Sequence, residues 1–506
     1  MSTLPFKQNA GPMPVPYPLA AHDARDWNSA AVAFLAVLAT VGGFSVVSNR
    51  FAHWFIIPIS ICGILMGTDA VDWFRGRLDL YDPQGLIGIL GFHFFFLAPL
   101  LHVQWDFFMH EVSPPPDWRD WLGYMGVLNV IGIACYRLGR SAFERRTKPV
   151  EEMWEINKHR FRMFLPVCLF VSVAAQIWVY AKMGGISGYI DARLNDPNAF
   201  LGLGWVFMIS ESAPILAAFF LIVEMQRRKV SWVLAGTALF VLFVMQMLFG
   251  GLRGSRSETV QMLFWVVGCI HFLVRPFPRK LVYLGCVFLF AFMYLYGFYK
   301  DMGANATDAY SNSDSREQAE QKTGRTSQAL VLGDFGRADV QSFILYRLLN
   351  DSSDFSYGYG RTYLGALAIL IPQAVMPDRP DTKVKEGTDI ELGTGAFVPG
   401  VLWSSRVYGL AGEAMLNFGP VSVPFAYALL GLLVGWFRSR VRGLLPGDAR
   451  FLLVPFGVYL CVTGLSGDSD NLIFGLVKDG FLPLLVVLVC SVKWKLFVHD
   501  FAPSHR

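Results

Sequence analysis

A chain of 506 residues that is 54% hydrophobic and only 16% charged, with a mean hydropathy of +0.42, is too apolar for a water-soluble protein. The formal net charge of +4 is small for this length and argues against nucleic acid, whose binding surfaces need clustered Lys and Arg. All seven cysteines, Cys62, Cys135, Cys168, Cys269, Cys286, Cys461 and Cys490, fall in apolar segments without a Cys-x-x-Cys spacing, so they read as small core residues rather than disulfides or zinc ligands.

In chain order, residues 1–27 hold Pro5, Pro12, Pro14, Pro16 and Pro18 and few basic side chains, the pattern of a flexible tail. The block from Asn28 to Val47, about 20 residues, is long enough to stay as a signal anchor. Further spans are expected at about 51–67, 86–103, 120–138, 162–182, 204–225, 231–250, 259–275 and 281–299, which makes nine within 28–299. A polar region rich in Gly and Pro, 300–417, separates them from three more, at about 418–437, 451–466 and 480–497, and a short tail follows at 498–506.

Lys and Arg in short loops set the orientation, because the cytoplasmic side retains them. The loop 138–161 carries Arg140, Arg145, Arg146, Lys148, Lys158 and Arg160. Later clusters are Arg227 to Lys229, then Arg275, Arg279 and Lys280, then Arg438, Arg440, Arg442 and Arg450. They alternate with the basic-poor loops 104–119, 183–203 and 467–479, and twelve spans with both ends cytoplasmic satisfy all of them. The expected fold is an all-α polytopic membrane protein with about 12 transmembrane helices and one large extracytoplasmic loop domain, 300–417. Its apolar interruption, Thr362 to Ile371, is closed by Pro372 and is about half a span long, so a re-entrant or interfacial helix is expected there.

The candidate residues lie on the outer side of this arrangement. Gly250-Gly251-Leu252-Arg253-Gly254-Ser255-Arg256-Ser257-Glu258 turns between two spans. Its arginines run against the positive-inside bias, and their forked donors suit a phosphate or diphosphate, although snorkelling at an interfacial turn would also place them there. Gly336-Arg337-Ala338-Asp339 opens an amphipathic helix that can bury Phe343, Ile344 and Leu348. Arg337 and Asp339 are either site groups or a helix start with a first-turn acid. The run Tyr357-Gly358-Tyr359-Gly360-Arg361-Thr362-Tyr363 offers rings that stack on sugars or anchor at an interface, with Arg361 beside them. Pro372, Pro377 and Pro380 stiffen the turn that carries Arg379.

Glu413 and Asn417 are four apart and share one helix face at the outer boundary. Partial burial would raise the Glu413 pKa toward working pH and suit it to general-base catalysis; a pair with Arg406 is the alternative. Gly467-Asp468-Ser469-Asp470-Asn471 has two acids and no His, which is weak support for a bound cation, and no metal site is expected. Glu211, in the outer half of 204–225, is either a proton or ion site or a partner for an outer arginine.

Taken together, Gly250 to Gly254, then Gly336 to Asp339, then Tyr357 to Pro380, then Gly412-Glu413-Ala414-Met415-Leu416-Asn417-Phe418-Gly419 resemble the Wzy-type O-antigen polymerases, the oligosaccharide repeat-unit polymerases of bacterial surface polysaccharide synthesis. The motifs cover about the second half of the chain and the layout covers all of it. The resemblance implies a metal-independent glycosyltransferase of the bacterial inner membrane, active on its periplasmic face and without a cofactor. It would move a growing glycan from undecaprenyl diphosphate to the nonreducing end of a second lipid-linked repeat unit. The implied partners are that glycan donor and acceptor, membrane lipid and a chain-length co-polymerase.

Under the resemblance, Arg253 and Arg337 face the lipid diphosphate, with Arg256, Arg361, Tyr363, Arg379 and Asn417 around the substrate. Glu413 is the first choice of base, ahead of Asp339 and Glu258. The family's Ile-Pro-Arg is here Ile371-Pro372-Gln373, and Met376 takes the place of a Trp, which shifts attention to Arg379 and Arg361. An O-antigen ligase is a second expectation, but the histidine such enzymes carry in the long outer loop has no counterpart in 300–417. A flippase or transporter of lipid-linked sugars is a third.

Overall fold

The computed structural model describes residues 27–109, 112–144, 152–196, 199–200, 202–226, 230–303, 306, 313–323, 326–350, 355–372, 375–404 and 406–495. The two tails, the basic residues Arg145, Arg146, Lys148 and Arg227 to Lys229, and Gln373, where the chain leaves the family pattern, lie outside the described residues.

The chain folds as an almost wholly helical polytopic bundle. Among the described residues, ten helices are long and apolar enough to cross a membrane. These are α1 (Trp27–Val47), α2 (Ile56–Phe74), α3 (Pro83–Trp105), α4 (Trp118–Glu144), α5 (Lys158–Lys182), α6 (Gly204–Met225), α7 (Trp232–Phe249), α9 (Arg279–Met302), α14 (Val423–Arg442) and α16 (Ser469–Cys490). Two helices expected as spans fall short of that standard. Between α7 and α9, α8 (Arg256–Leu273) is diluted by Arg256, Glu258, Gln261 and His271. Before α16, α15 (Val454–Ser466) has 13 residues and rises only about 20 Å.

The last long helix also begins and ends earlier than hydropathy places it, at Ser469 and Cys490 instead of about 480 and 497. Lys478 and Asp479 lower the apolar average of its first half, yet pairing inside the bundle lets a helix carry them. Residues Ser491–Lys495 form a strand, β2, antiparallel to β1 (Glu152–Ile156) in the register Trp154↔Lys493. The ammonium of Lys493 lies 4.8 Å from the centre of the Trp154 ring.

The closest helix pair is α4 with α14. A Cβ on Gly431 would sit 2.1 Å from the Tyr136 carbonyl oxygen, and one on Gly435 would sit 2.5 Å from that of Arg140. Gly431 and Gly435 are four apart, so one smooth face of α14 lets the two backbones touch. At this end of the bundle Asp69 meets Arg140 at 2.9 Å and Gln84 at 2.7 Å. Asp82 caps the first turn of α3 through the Gln84 N–H at 2.9 Å and also receives Arg438 at 2.8 Å.

The polar region 300–417 packs over the opposite end with four described helices of use here: α10 (Ala338–Asn350), α11 (Arg361–Ala368), α12 (Val384–Leu392) and α13 (Gly409–Phe418). The apolar interruption is α11, eight residues long, about 12 Å and far short of a span. Phe343, Ile344 and Leu348 of α10 enter the main core together with Tyr408, Met415 and Leu416.

Candidate functional site

Glu413 is the centre of the first cluster. It is buried on α13, and no ion-pair partner approaches it among the described residues. One carboxylate oxygen accepts from the Thr362 hydroxyl at 2.7 Å and from the Ser469 hydroxyl at 2.5 Å; the other accepts from the Ser469 N–H at 2.6 Å. Ser469 is the first residue of α16, so the carboxylate sits at the positive end of that helix. Burial, then the charge of Asp468, push the Glu413 carboxyl up to about 7, against the pull of the Ser469 and Thr362 bonds. Arg406 pairs with Glu391 at 3.5 Å.

The helix geometry of α13 carries Asn417 to the same place. Its amide donates to the Thr362 hydroxyl at 2.7 Å and to the Glu413 carbonyl at 2.9 Å, and its oxygen accepts from the Gly360 N–H at 2.9 Å. Asn417 therefore fixes the start of α11 against α13. Tyr359 is held there with φ 46°, a costly conformation for a side chain of its size, and its N–H donates to the Asn417 carbonyl at 3.0 Å. Its ring is 76% exposed. Tyr363 stacks on Phe418 with ring centres 6.4 Å apart, and burial raises its phenol pKa. Arg361 donates to Glu386 at 2.7 Å and stays partly exposed.

Beside Glu413, Asp468 accepts from the Tyr408 N–H at 3.0 Å, from the Gly409 N–H at 2.7 Å, and from Lys383, which also lies 3.4 Å from Asp470. The acidic run 467–471 is thus tied up by a lysine and by the start of α13. Arg379 donates to the Ile371 carbonyl at 3.0 Å and closes the proline turn onto α11.

The second cluster surrounds Arg253. Its guanidinium lies 3.1 Å from both Glu211 and Glu258 and 4.6 Å from the centre of the Phe207 ring. Lys478 of α16 reaches the same two acids, Glu211 at 2.5 Å. The turn itself is clamped: Arg193 donates to the Arg253 carbonyl at 2.6 Å, and Tyr299 to that of Leu252 at 2.9 Å. Gly254 takes φ 100°, which a side chain could not follow without strain.

Arg256 and Arg337 lie between the clusters. Arg256 pairs with Asp334 at 2.5 Å, and Arg337 bonds the carbonyls of Gly333, Asp334 and Gly336, leaving its buried Nε without a partner among the described residues. Burial lowers the Arg337 pKa against the charges of Asp468, Asp334 and Asp339. Asp339 caps its own helix through the Val340 N–H at 2.8 Å and lies 3.9 Å from His102.

Of the sequence candidates, then, Glu413, Asn417, Tyr363 and Arg361 gather at the α11–α13 junction, and Arg253 and Glu258 in the second cluster. Thr362, Ser469 and Lys478 are the partners that sequence reading did not select. Thr362 and Ser469 belong to motifs marked for other residues, and Ser469 and Lys478 lie 56 and 220 positions from the acids they meet, a separation no local pattern reports. No family model, no curated protein and no solved structure matches the chain.

Proposed function

We propose that the protein polymerises lipid-diphosphate-linked oligosaccharide repeat units on the outer face of a bacterial inner membrane. The observation that carries this reading is Glu413, a buried carboxyl without a cation among the described residues, pushed up to about 7 and oriented by Thr362 and Ser469, with Asn417 holding Thr362 in place. Such a group suits removal of a proton from an acceptor hydroxyl at neutral pH. The order of motifs that resembles the Wzy-type polymerases supplies the substrate class.

The geometry redistributes the arginines within that scheme. Arg253 and Arg256 are committed to carboxylates, and Arg337 to carbonyls, so they act as braces. Arg361, although paired with Glu386, and Arg379, although bonded to the Ile371 carbonyl, stay partly exposed near α11 and are the cations we assign to a departing diphosphate, whose growing charge they would stabilise. Leu364 and Leu367 line the exposed face of α11, next to exposed Phe418 and Val421 at the head of α14, a surface suited to a polyprenyl chain. In this reading twelve helices cross the membrane, both termini are cytoplasmic and 300–417 is periplasmic, in keeping with the basic loops.

One observation favours a second reading, a transporter of the same lipid-linked sugars: Glu211, Lys478 and Asp479 are charges within membrane-length helices. Purified protein given synthetic lipid-diphosphate repeat units separates the two. Polymer is the expected product; translocation of intact units without polymer would replace the polymerase with the transporter.

A further inference from the structure

Beyond the Ser469 contact with Glu413, along α16, the bundle holds a chamber of about 20 Å³, room for one water-sized occupant. Glu211 of α6, Gln246 of α7, Glu258, Gln261 and Trp265 of α8 and Asp479 of α16 form its wall. The charges that converge here do not balance. Glu211, Glu258 and Asp479 are three acids, and Arg253 and Lys478 are the two cations set against them. Tyr459 of α15, Tyr180 of α5, Tyr296 of α9 and Tyr189 are further titratable neighbours and bring no positive charge.

Both cations are engaged with Glu211 and Glu258. Asp479 is left with the Gln261 amide at 3.0 Å as its hydrogen-bond donor among the described residues. Among the described residues, one oxygen of Glu258 and one of Glu211 have no hydrogen-bond donor. Gln246, 3% exposed, turns into the same chamber. A net negative charge with open acceptors is costly within a membrane-spanning bundle. Among the described residues no group of three acids, histidines or cysteines is arranged to hold a metal ion, so the smallest cation remains.

We infer that this chamber is a proton-binding site inside the bundle, where one proton resides on Asp479, beside the open oxygens of Glu211 and Glu258. The occupant brings the charge count to zero and gives Asp479 a donor. Its position ties it to the outer cluster. Lys478 and Ser469 are nine residues apart on α16, about 13 Å, and Ser469 holds Glu413. The inference is separate from the polymerase reading and needs no glycan.

The test uses the full chain in lipid nanodiscs. Infrared spectra at neutral pH are expected to show the carbonyl stretch of a protonated carboxylic acid that is lost in Asp479→Asn and kept in Glu413→Gln, which separates the chamber from the outer cluster. Thermal unfolding supplies the second readout. The native state holds the proton more tightly than the unfolded chain, so the wild-type Tm should fall as pH rises from about 5 to about 9, and Asp479→Asn should flatten that slope. If Asp479→Asn does not insert, Glu258→Gln lowers the same charge count from another helix and carries both readouts. An acid band and a pH slope unchanged in these variants would overturn the proposal. So would a Tm that rises with sodium but not with choline at equal ionic strength.

Discussion

At one end of the bundle Asp69 is met by Arg140, Arg137 and Gln84 and Asp82 by Arg438, whereas at the other Glu413 is held by two hydroxyls and one N–H, with no cation among the described residues. The first arrangement fixes a charge permanently. Breaking it strands a buried ion, so these pairs serve to keep α2, α3, α4 and α14 in register. The second orients a carboxyl without fixing its protonation. A group held in that way can exchange a proton near neutral pH, and the contrast separates structural acids from the one suited to chemistry.

The largest expected effect tests the second half of that contrast. Glu413→Gln keeps the shape and one accepting oxygen but cannot take a proton, so polymer formation by purified protein should fall by about 10²- to 10⁴-fold with a smaller loss of Tm than Asp69→Ala. Asp69→Ala should do the reverse, costing about 3–5 kcal/mol in thermal or denaturant unfolding while the protein that folds retains its rate. Arg253→Ala leaves Glu211 and Glu258 to Lys478 alone and should resemble Asp69→Ala, seen as reduced monodisperse protein by fluorescence-detected gel filtration. Near-normal stability with lost polymer in Arg253→Ala would move that arginine to the substrate.

Acidity gives a smaller but more specific effect. The base works deprotonated, so the rate should rise with pH, reach half its maximum near pH 7 and then level off. Stability should move the opposite way. The folded pKa lies above the ordinary value of about 4.5, so the Glu413 contribution to stability is present below that pH and lost as pH rises through about 7. The smallest change comes from Thr362→Val. It removes a donor that lowers the Glu413 pKa, and the acidic limb of the rate profile should shift to higher pH by about one unit or less.

The apolar blocks made the membrane class legible in the sequence, and helical spacing made Glu413 and Asn417 neighbours, which the structure joins through Thr362. Less legible was where α16 begins. Lys478 and Asp479 look like loop residues to any average of hydropathy, because their partners Glu211, Glu258 and Gln261 come from distant parts of the chain. Val492 and Trp494 misled in the other direction: they read as membrane, but they alternate with Lys493 and Lys495 in a strand. Arg253 was marked for its charge on the outer face, and the acids that hold it are equally charged and buried with it.

The ribbon of β1 and β2 bears on how the two clusters communicate. It fastens the foot of α16 to the segment before α5, reinforced by the Asn157 N–H on the Cys490 carbonyl at 2.8 Å. A rod pinned at its base can answer a push at mid-height only by swinging its tip. The tip of α16 is Ser469, so a change of charge beside Lys478 would be delivered as a displacement of the donor that aims Glu413.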